Sequence, residues 1–117
     1  MTANLFLPDG RPDFDAIIEH FPEHGGGEIT HRSANGHQFR FNIQRNHQGT
    51  YDAVILDQPS YGGRPEGAHE THRLPAPNGF AKVCFKTPAR DLPSAVAVAL
   101  HWAECTSAYI RNGGSFR

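Results

Sequence analysis

The feature that most constrains the fold is a long helical pattern near the C-terminal end of the chain, SAVAVALHWAECTSAYIRN, residues 94–112. Its predicted apolar stripe repeats at helical spacing and consists of Val98, Trp102, Cys105 and Tyr109. Alanines beside the stripe would let this helix lie close to a flat surface. Because the stripe must be buried against another element, we expect the helix to pack on a sheet.

Capping signals bound this helix at both ends. Asp91 or Ser94 can accept a hydrogen bond from a first-turn N–H, and Asn112-Gly113-Gly114 is typical of a helix end. A second, shorter helix is predicted over residues 12–21, PDFDAIIEHF, where apolar residues recur at helical spacing. Pro22 is expected to stop it.

Between the two helical patterns, residues 38–44 alternate apolar and polar side chains, which is typical of a strand with one buried face. An Asn-Gly turn signal precedes them. A two-residue loop would place Thr30 opposite Phe41. A three-residue loop, 34–36, instead places Ile29 opposite Phe41 and keeps apolar with apolar, so we predict the longer loop.

Two further strands are predicted after this hairpin. Residues 50–57, TYDAVILD, are apolar at both parities, which indicates a central strand covered on each face, with the two helices as candidates. Residues 80–86, FAKVCFK, form the next strand. The predicted fold class is α+β: a single domain, 1–117, with an antiparallel sheet of four to five strands, a short N-terminal helix and a long C-terminal helix packed on it.

The predicted order of helix, three-stranded meander, further strand and helix resembles, in outline, the double-stranded-RNA-binding domain. That family uses a lysine-rich start of its second helix on phosphates, whereas the second helix here begins DLPSAVAV. We therefore transfer no function and no residues from that family.

Composition narrows the function classes. The net charge is −1, from 11 Lys+Arg and 12 Asp+Glu, and a general nucleic-acid binder normally shows a positive excess. The first residues lack a signal-peptide pattern, and the longest apolar run, 95–100, is too short to cross a bilayer. The two cysteines, Cys84 and Cys105, lack paired spacing and are interpreted as small core residues in a reducing, cytoplasmic setting.

The chain has 8 histidines, which raises the question of a metal site. His69 and His72 form an HxxH pattern with Glu70 between them, but metal sites need three or four converging ligands and no further ligand is evident. We expect no metal and no other cofactor. A small metal-dependent enzyme using these two histidines is kept as an alternative.

Residues 58–79 hold four prolines and four glycines and are predicted to form one long loop with a short edge strand in HETHRL. Loops of this length inside small domains are commonly functional. Tyrosine and arginine are enriched at protein interfaces. The candidate partner-binding residues are Tyr61, Arg64, His69, His72 and Arg73. Tyr61 and Arg64 are expected to lie outside the core.

These patterns favour a non-enzymatic protein-binding module whose partner is another protein or a protein–nucleic acid complex. Chains of this size and charge are typical of accessory proteins encoded by phages and plasmids, including inhibitors of host defence complexes such as anti-CRISPR proteins. Such an inhibitor would occlude a nucleic-acid-binding surface. The alternative from another class is a nucleic-acid-binding accessory protein that uses an arginine-bearing sheet face with Arg32, Arg40 and Arg45.

Overall fold

The computed structural model describes Leu7 and residues 13–20 and 27–114. The elements follow in the order α1 (Phe14–His20), β1 (Gly27–Arg32), β2 (Gln38–Arg45), β3 (Tyr51–Asp57), α2 (Ala68–Thr71), β4 (Arg73–Pro75), β5 (Ala81–Val83) and α3 (Leu92–Asn112). A 3-10 turn, Pro77–Gly79, joins β4 to β5. The predicted α+β class is confirmed. The ends of the predicted N-terminal helix, including Pro12, Phe21 and Pro22, lie outside the described residues.

The sheet is antiparallel and five-stranded, in the order β1-β2-β3-β5-β4. In the first hairpin, Ile29 lies opposite Phe41, and the Ser33 N–H donates to the His37 carbonyl at 2.8 Å. The loop therefore consists of residues 34–36, as predicted. Gly36 adopts a φ of 86°, which a glycine tolerates at that point of the loop.

The apolar sides of helices α1 and α3 pack on the same face of the sheet. Ile17 of α1 joins the same core cluster as Phe41 and Ile55 of the sheet and Ala99 of α3, and α1 contacts α3 directly. The expectation that the two helices cover opposite faces of β3 is wrong for the described residues. The other face, which no described helix covers and which is called the open face below, carries one cross-strand row formed by Glu28, Asn42, Val54, Lys82 and Leu74.

The long helix α3 begins at the earlier of the two predicted caps. Asp91 is the N-cap, and its Oδ1 accepts a hydrogen bond from the Ser94 N–H at 2.9 Å. The ring of Trp102 packs edge-on against Phe39 and Phe41, with centroids 5.9 Å apart in each pair. The helix is therefore held to the sheet by an aromatic cluster.

The buried stripe of α3 is displaced from the predicted one. It runs through Ala95, Ala99, Trp102, Thr106 and Tyr109. Two members of the predicted stripe lie on its flank, because the helix rests on the sheet along its alanines: Val98 is 38% exposed, and Cys105 is partly exposed.

The prediction that Cys84 is a core residue is also wrong, since its side chain is exposed. Strand β5 is shorter than the predicted 80–86, and Cys84 follows the parity of Lys82, which faces the open face that no described helix covers. None of the helices in the described part of the chain combines the length and the hydropathy that a membrane-spanning helix needs.

Candidate functional site

Residues 58–79 contain helix α2, strand β4 and a 3-10 turn rather than one long loop. The short edge strand predicted in HETHRL is present as β4. Gly62 and Gly63 have positive φ angles of 63° and 89°, which turn the chain sharply. Helix α2 begins at Ala68, and the Thr71 hydroxyl donates to the Gly67 carbonyl at 2.8 Å. His72 then ends α2 in the left-handed conformation, and β4 begins at the next residue.

Tyr61 anchors residues 58–79 to α3. It is only 3% exposed, and its ring packs edge-on against Tyr109, with centroids 6.0 Å apart. The guanidinium of Arg73 lies over the same ring, 5.0 Å from its centroid. The expectation that Tyr61 lies outside the core is therefore wrong. Its role is to hold the segment in place, because the ring offers almost no surface to a partner.

The Tyr61 hydroxyl is buried beside polar side chains. Among the described residues no group meets hydrogen-bond geometry with it, although Gln58 and Thr71 face it. Burial raises the pKa of this phenol above its ordinary value of 10.0, while Gln58 and the positive charge of Arg73 act in the opposite direction. The hydroxyl is therefore protonated over the whole physiological range.

Arg73 ties together three parts of the segment. Its Nε donates to Thr71 Oγ1 at 3.1 Å, and its Nη1 donates to Gln58 Oε1 at 3.2 Å. Its Nη2 donates to the Glu66 carbonyl at 3.2 Å. All three guanidinium nitrogens therefore donate to groups within the protein, and the Tyr61 ring packs on the guanidinium plane. These contacts indicate that Arg73 stabilises the segment.

Arg64 joins the segment to the C-terminal end of α3. Its Nε donates to the Ile110 carbonyl at 3.4 Å, and its Nη2 donates to the Arg111 carbonyl at 3.2 Å. These carbonyls belong to the last helical turn, where the helix dipole favours a positive charge. The Tyr109 hydroxyl donates to the Pro65 carbonyl at 2.8 Å and adds a second link.

A cleft of about 410 Å³ opens between this segment and the end of α3. Its lining includes Arg64, Pro65, His69, Glu70, His72 and Tyr109. His69 and Glu70 are exposed on α2 and form its outer wall. Of the five predicted partner-binding residues, the structure therefore brings Arg64, His69 and His72 to one cleft. Tyr61 packs against Tyr109 of its lining, and Arg73 packs on Tyr61.

The sheet arginines do not form a single stripe. Arg32 and Arg40 share the open face, whereas Arg45 has the opposite parity at the end of β2. Arg32 donates to the Gly36 carbonyl and to Gln38, and Arg40 forms an ion pair with Glu28 at 3.0 Å. Two of these three charges are therefore engaged within the protein.

His69 and His72 both line the cleft, yet the described residues contain no group of three or more His, Cys, Asp or Glu side chains placed to hold a metal ion. A third ligand is what the metal alternative needs.

The sequence reasoning missed a polar network between the first hairpin and α3. Ser107 Oγ shares hydrogen bonds with Ser33 Oγ at 2.8 Å and with His37 Nδ1 at 2.6 Å. Beside them, His31 Nε2 donates to the carboxylate of Glu104. One signal was present: His31 and Ser33 occupy the strand parity of buried Ile29, where polar residues need partners.

This network contains serine, histidine and carboxylate side chains, the residue types of a hydrolytic triad. Ser107 is fully buried and Ser33 is 4% exposed, so neither hydroxyl is accessible to a substrate. Each hydroxyl instead satisfies a neighbouring polar group. The network therefore holds the 34–36 loop against α3.

No family model, no curated protein and no solved structure matches this chain.

Proposed function

We propose that this protein is a small protein-binding module and that its binding surface is the cleft between α2 and the C-terminal end of α3. One observation carries this proposal. Residues 58–79 are held to the rest of the domain by the contacts of Tyr61, Arg73 and Trp102. His69 and Glu70 remain exposed on the outer wall of the cleft. The segment thus presents polar side chains in a fixed arrangement.

Preorganisation is the physical reason for this assignment. Ordering a free segment costs about 1–2 kcal/mol per residue in backbone entropy, and a surface ordered during folding does not incur that cost again on binding. Burial of side chains in this segment offsets the entropy cost of ordering it during folding. A partner therefore meets a formed surface, which is the arrangement that favours tight recognition.

Size and charge suggest a narrower partner class for this proposal. The partner would be a host defence complex, which this chain would inhibit as anti-CRISPR proteins do. In that setting the cleft would contact a protein surface that normally binds nucleic acid. The proposed partner is the protein component, because the net charge is −1 and the sheet arginines do not form a single stripe. Salt dependence separates the two modes, since phosphate contacts weaken steeply with salt.

The test is an affinity pull-down from the native host, followed by a titration of the captured partner. The informative variant is His69→Ala/Glu70→Ala, because both side chains are exposed and neither has a core role. We expect affinity to fall by about thirtyfold or more, the loss typical of interface hot spots, with an unchanged melting temperature.

The matched control is Gln48→Ala, an exposed change in the turn between β2 and β3. It should leave affinity unchanged. Wild-type affinity in the His69/Glu70 variant would remove the cleft from the interface. Tyr61→Ala is unsuitable for this purpose, because it would damage the fold and binding together.

A further inference from the structure

The two edges of the sheet differ in how they are protected. The β4 edge is three residues long and ends at Pro75, which has no N–H to offer to another strand. The β1 edge is six residues long, GEITHR, without proline. In the described part of the chain, β1 pairs only with β2. The outer edge of β1 is therefore the one able to accept a further strand.

The hairpin fixes which backbone groups of β1 face outward. The Ser33 N–H points toward β2, since it donates to the His37 carbonyl. Backbone groups alternate in direction along a strand. With the regular register of this hairpin, the N–H and C=O groups of Glu28, Thr30 and Arg32 point away from β2.

The side chains of these three residues select a partner of the same sequence. In an antiparallel pairing of two β1 strands centred on Thr30, Glu28 of each copy lies opposite Arg32 of the other. Thr30 then lies opposite Thr30, and threonine pairs of this kind are favourable across strands. All three positions present outward backbone groups on both copies, so each pair can exchange two hydrogen bonds.

Other registers lose this complementarity. A shift of the centre by one residue toward either end places Thr30 opposite Glu28 or Arg32 and leaves the charges without opposite partners. We propose that the chain forms a two-fold symmetric dimer through its β1 edge, centred on Thr30, which joins two five-stranded sheets into one continuous sheet. The edge is distinct from the α2 cleft, so the dimer and the proposed function stand or fall separately.

Charge exchange tests the register. Glu28→Arg places two guanidinium groups opposite each other at both charged pairs of the dimer, and Arg32→Glu places two carboxylates opposite each other there. Each variant alone should dimerise about tenfold or more weakly than the wild type in sedimentation equilibrium. An equimolar mixture of the two variants restores both opposite-charge pairs and should form a heterodimer.

The matched control is Arg40→Gln. It removes the ion pair between Arg40 and Glu28 within one chain while leaving the edge register intact, and it should dimerise like the wild type. Melting temperatures establish that each variant is folded.

Thr30→Pro tests the edge itself. It removes an N–H that faces away from β2, so the hairpin keeps its own ladder, and it should abolish dimerisation, whereas Thr30→Ala should not. If Thr30→Pro fails to fold, the charge-exchange mixture still decides. A wild type that stays monomeric up to about 1 mM, or variants whose mixture fails to recover the dimer, would overturn the proposal.

Discussion

The indole N–H of Trp102 donates a buried hydrogen bond to the carbonyl oxygen of Thr71 at 3.0 Å. The same ring packs against Phe39 and Phe41. One side chain therefore joins the sheet, α3 and the last residue of α2. The position of the cleft depends on this junction, because α2 carries its outer wall.

Trp102→Ala should lower the free energy of unfolding by about 3–5 kcal/mol, through lost burial and the cavity that remains. Chemical denaturation measures this change. The control is Val98→Ala on the same helix: Val98 is 38% exposed, so its cost should stay below about 1 kcal/mol. Equal effects of the two variants would contradict the central position of Trp102.

A matched pair of tyrosine variants tests the buried hydroxyls of the segment. Tyr109→Phe removes a hydroxyl that donates to the Pro65 carbonyl and should cost about 1 kcal/mol. Tyr61→Phe removes a buried hydroxyl that meets no acceptor among the described residues. It should be neutral or slightly stabilising, within about 0.5 kcal/mol. A large loss in Tyr61→Phe would reveal a partner for that hydroxyl.

The raised pKa of Tyr61 predicts a pH dependence with a definite sign. Above about pH 10 the unfolded tyrosine releases its proton while the folded one retains it. The contribution of Tyr61 to stability is therefore complete below pH 10 and is lost as the pH rises toward the folded pKa. Between about pH 9 and 11, the wild type should lose more stability than Tyr61→Phe. Parallel curves for the two proteins would exclude the shift.

The glycines after α3 provide a test of the contact between Arg64 and the C-terminal end of this helix. Gly113 has a φ of 74°, and a Cβ there would lie 2.7 Å from Arg64 Nη1. Gly114 has a φ of 86° and nothing within 4 Å of the corresponding position. Gly114→Ala should cost about 1 kcal/mol for the positive φ alone. Gly113→Ala should cost about 1–3 kcal/mol, because φ 74° with ψ −157° is a conformation nearly restricted to glycine. Only the part of this cost that comes from displacing the Arg64 guanidinium should vanish in an Arg64→Ala background, as a double-mutant cycle would measure.

Chelation tests the metal alternative. His69 and His72 line the cleft, but the described residues contain no group of three or more His, Cys, Asp or Glu side chains placed to hold a metal ion. We expect the purified protein to contain no stoichiometric zinc by elemental analysis and to keep its circular dichroism spectrum in excess chelator. A loss of structure on chelation would bring the histidines back as the main functional feature.

The sequence alone determined the elements whose signals are local. The register of the first hairpin followed from matching apolar with apolar positions, because a shift of one residue would turn Phe41 toward water. The C-terminal limit of α3 followed from the glycines after Asn112, and its start was narrowed to two caps, Asp91 or Ser94, of which the structure has Asp91. These signals depend on backbone geometry within a few residues, and sequence patterns report that geometry directly.

The tertiary structure alone decided how residues 58–79 pack against the rest of the domain. Proline and glycine content predicts chain reversals but not their packing, and the anchors of Tyr61 and Arg64 lie more than forty residues away, in Tyr109 and the Ile110 carbonyl. The same limit applies to Cys84, whose exposure depends on which face the helices leave open. Periodicity shows that a side chain has a preferred face, whereas burial depends on which distant element covers that face.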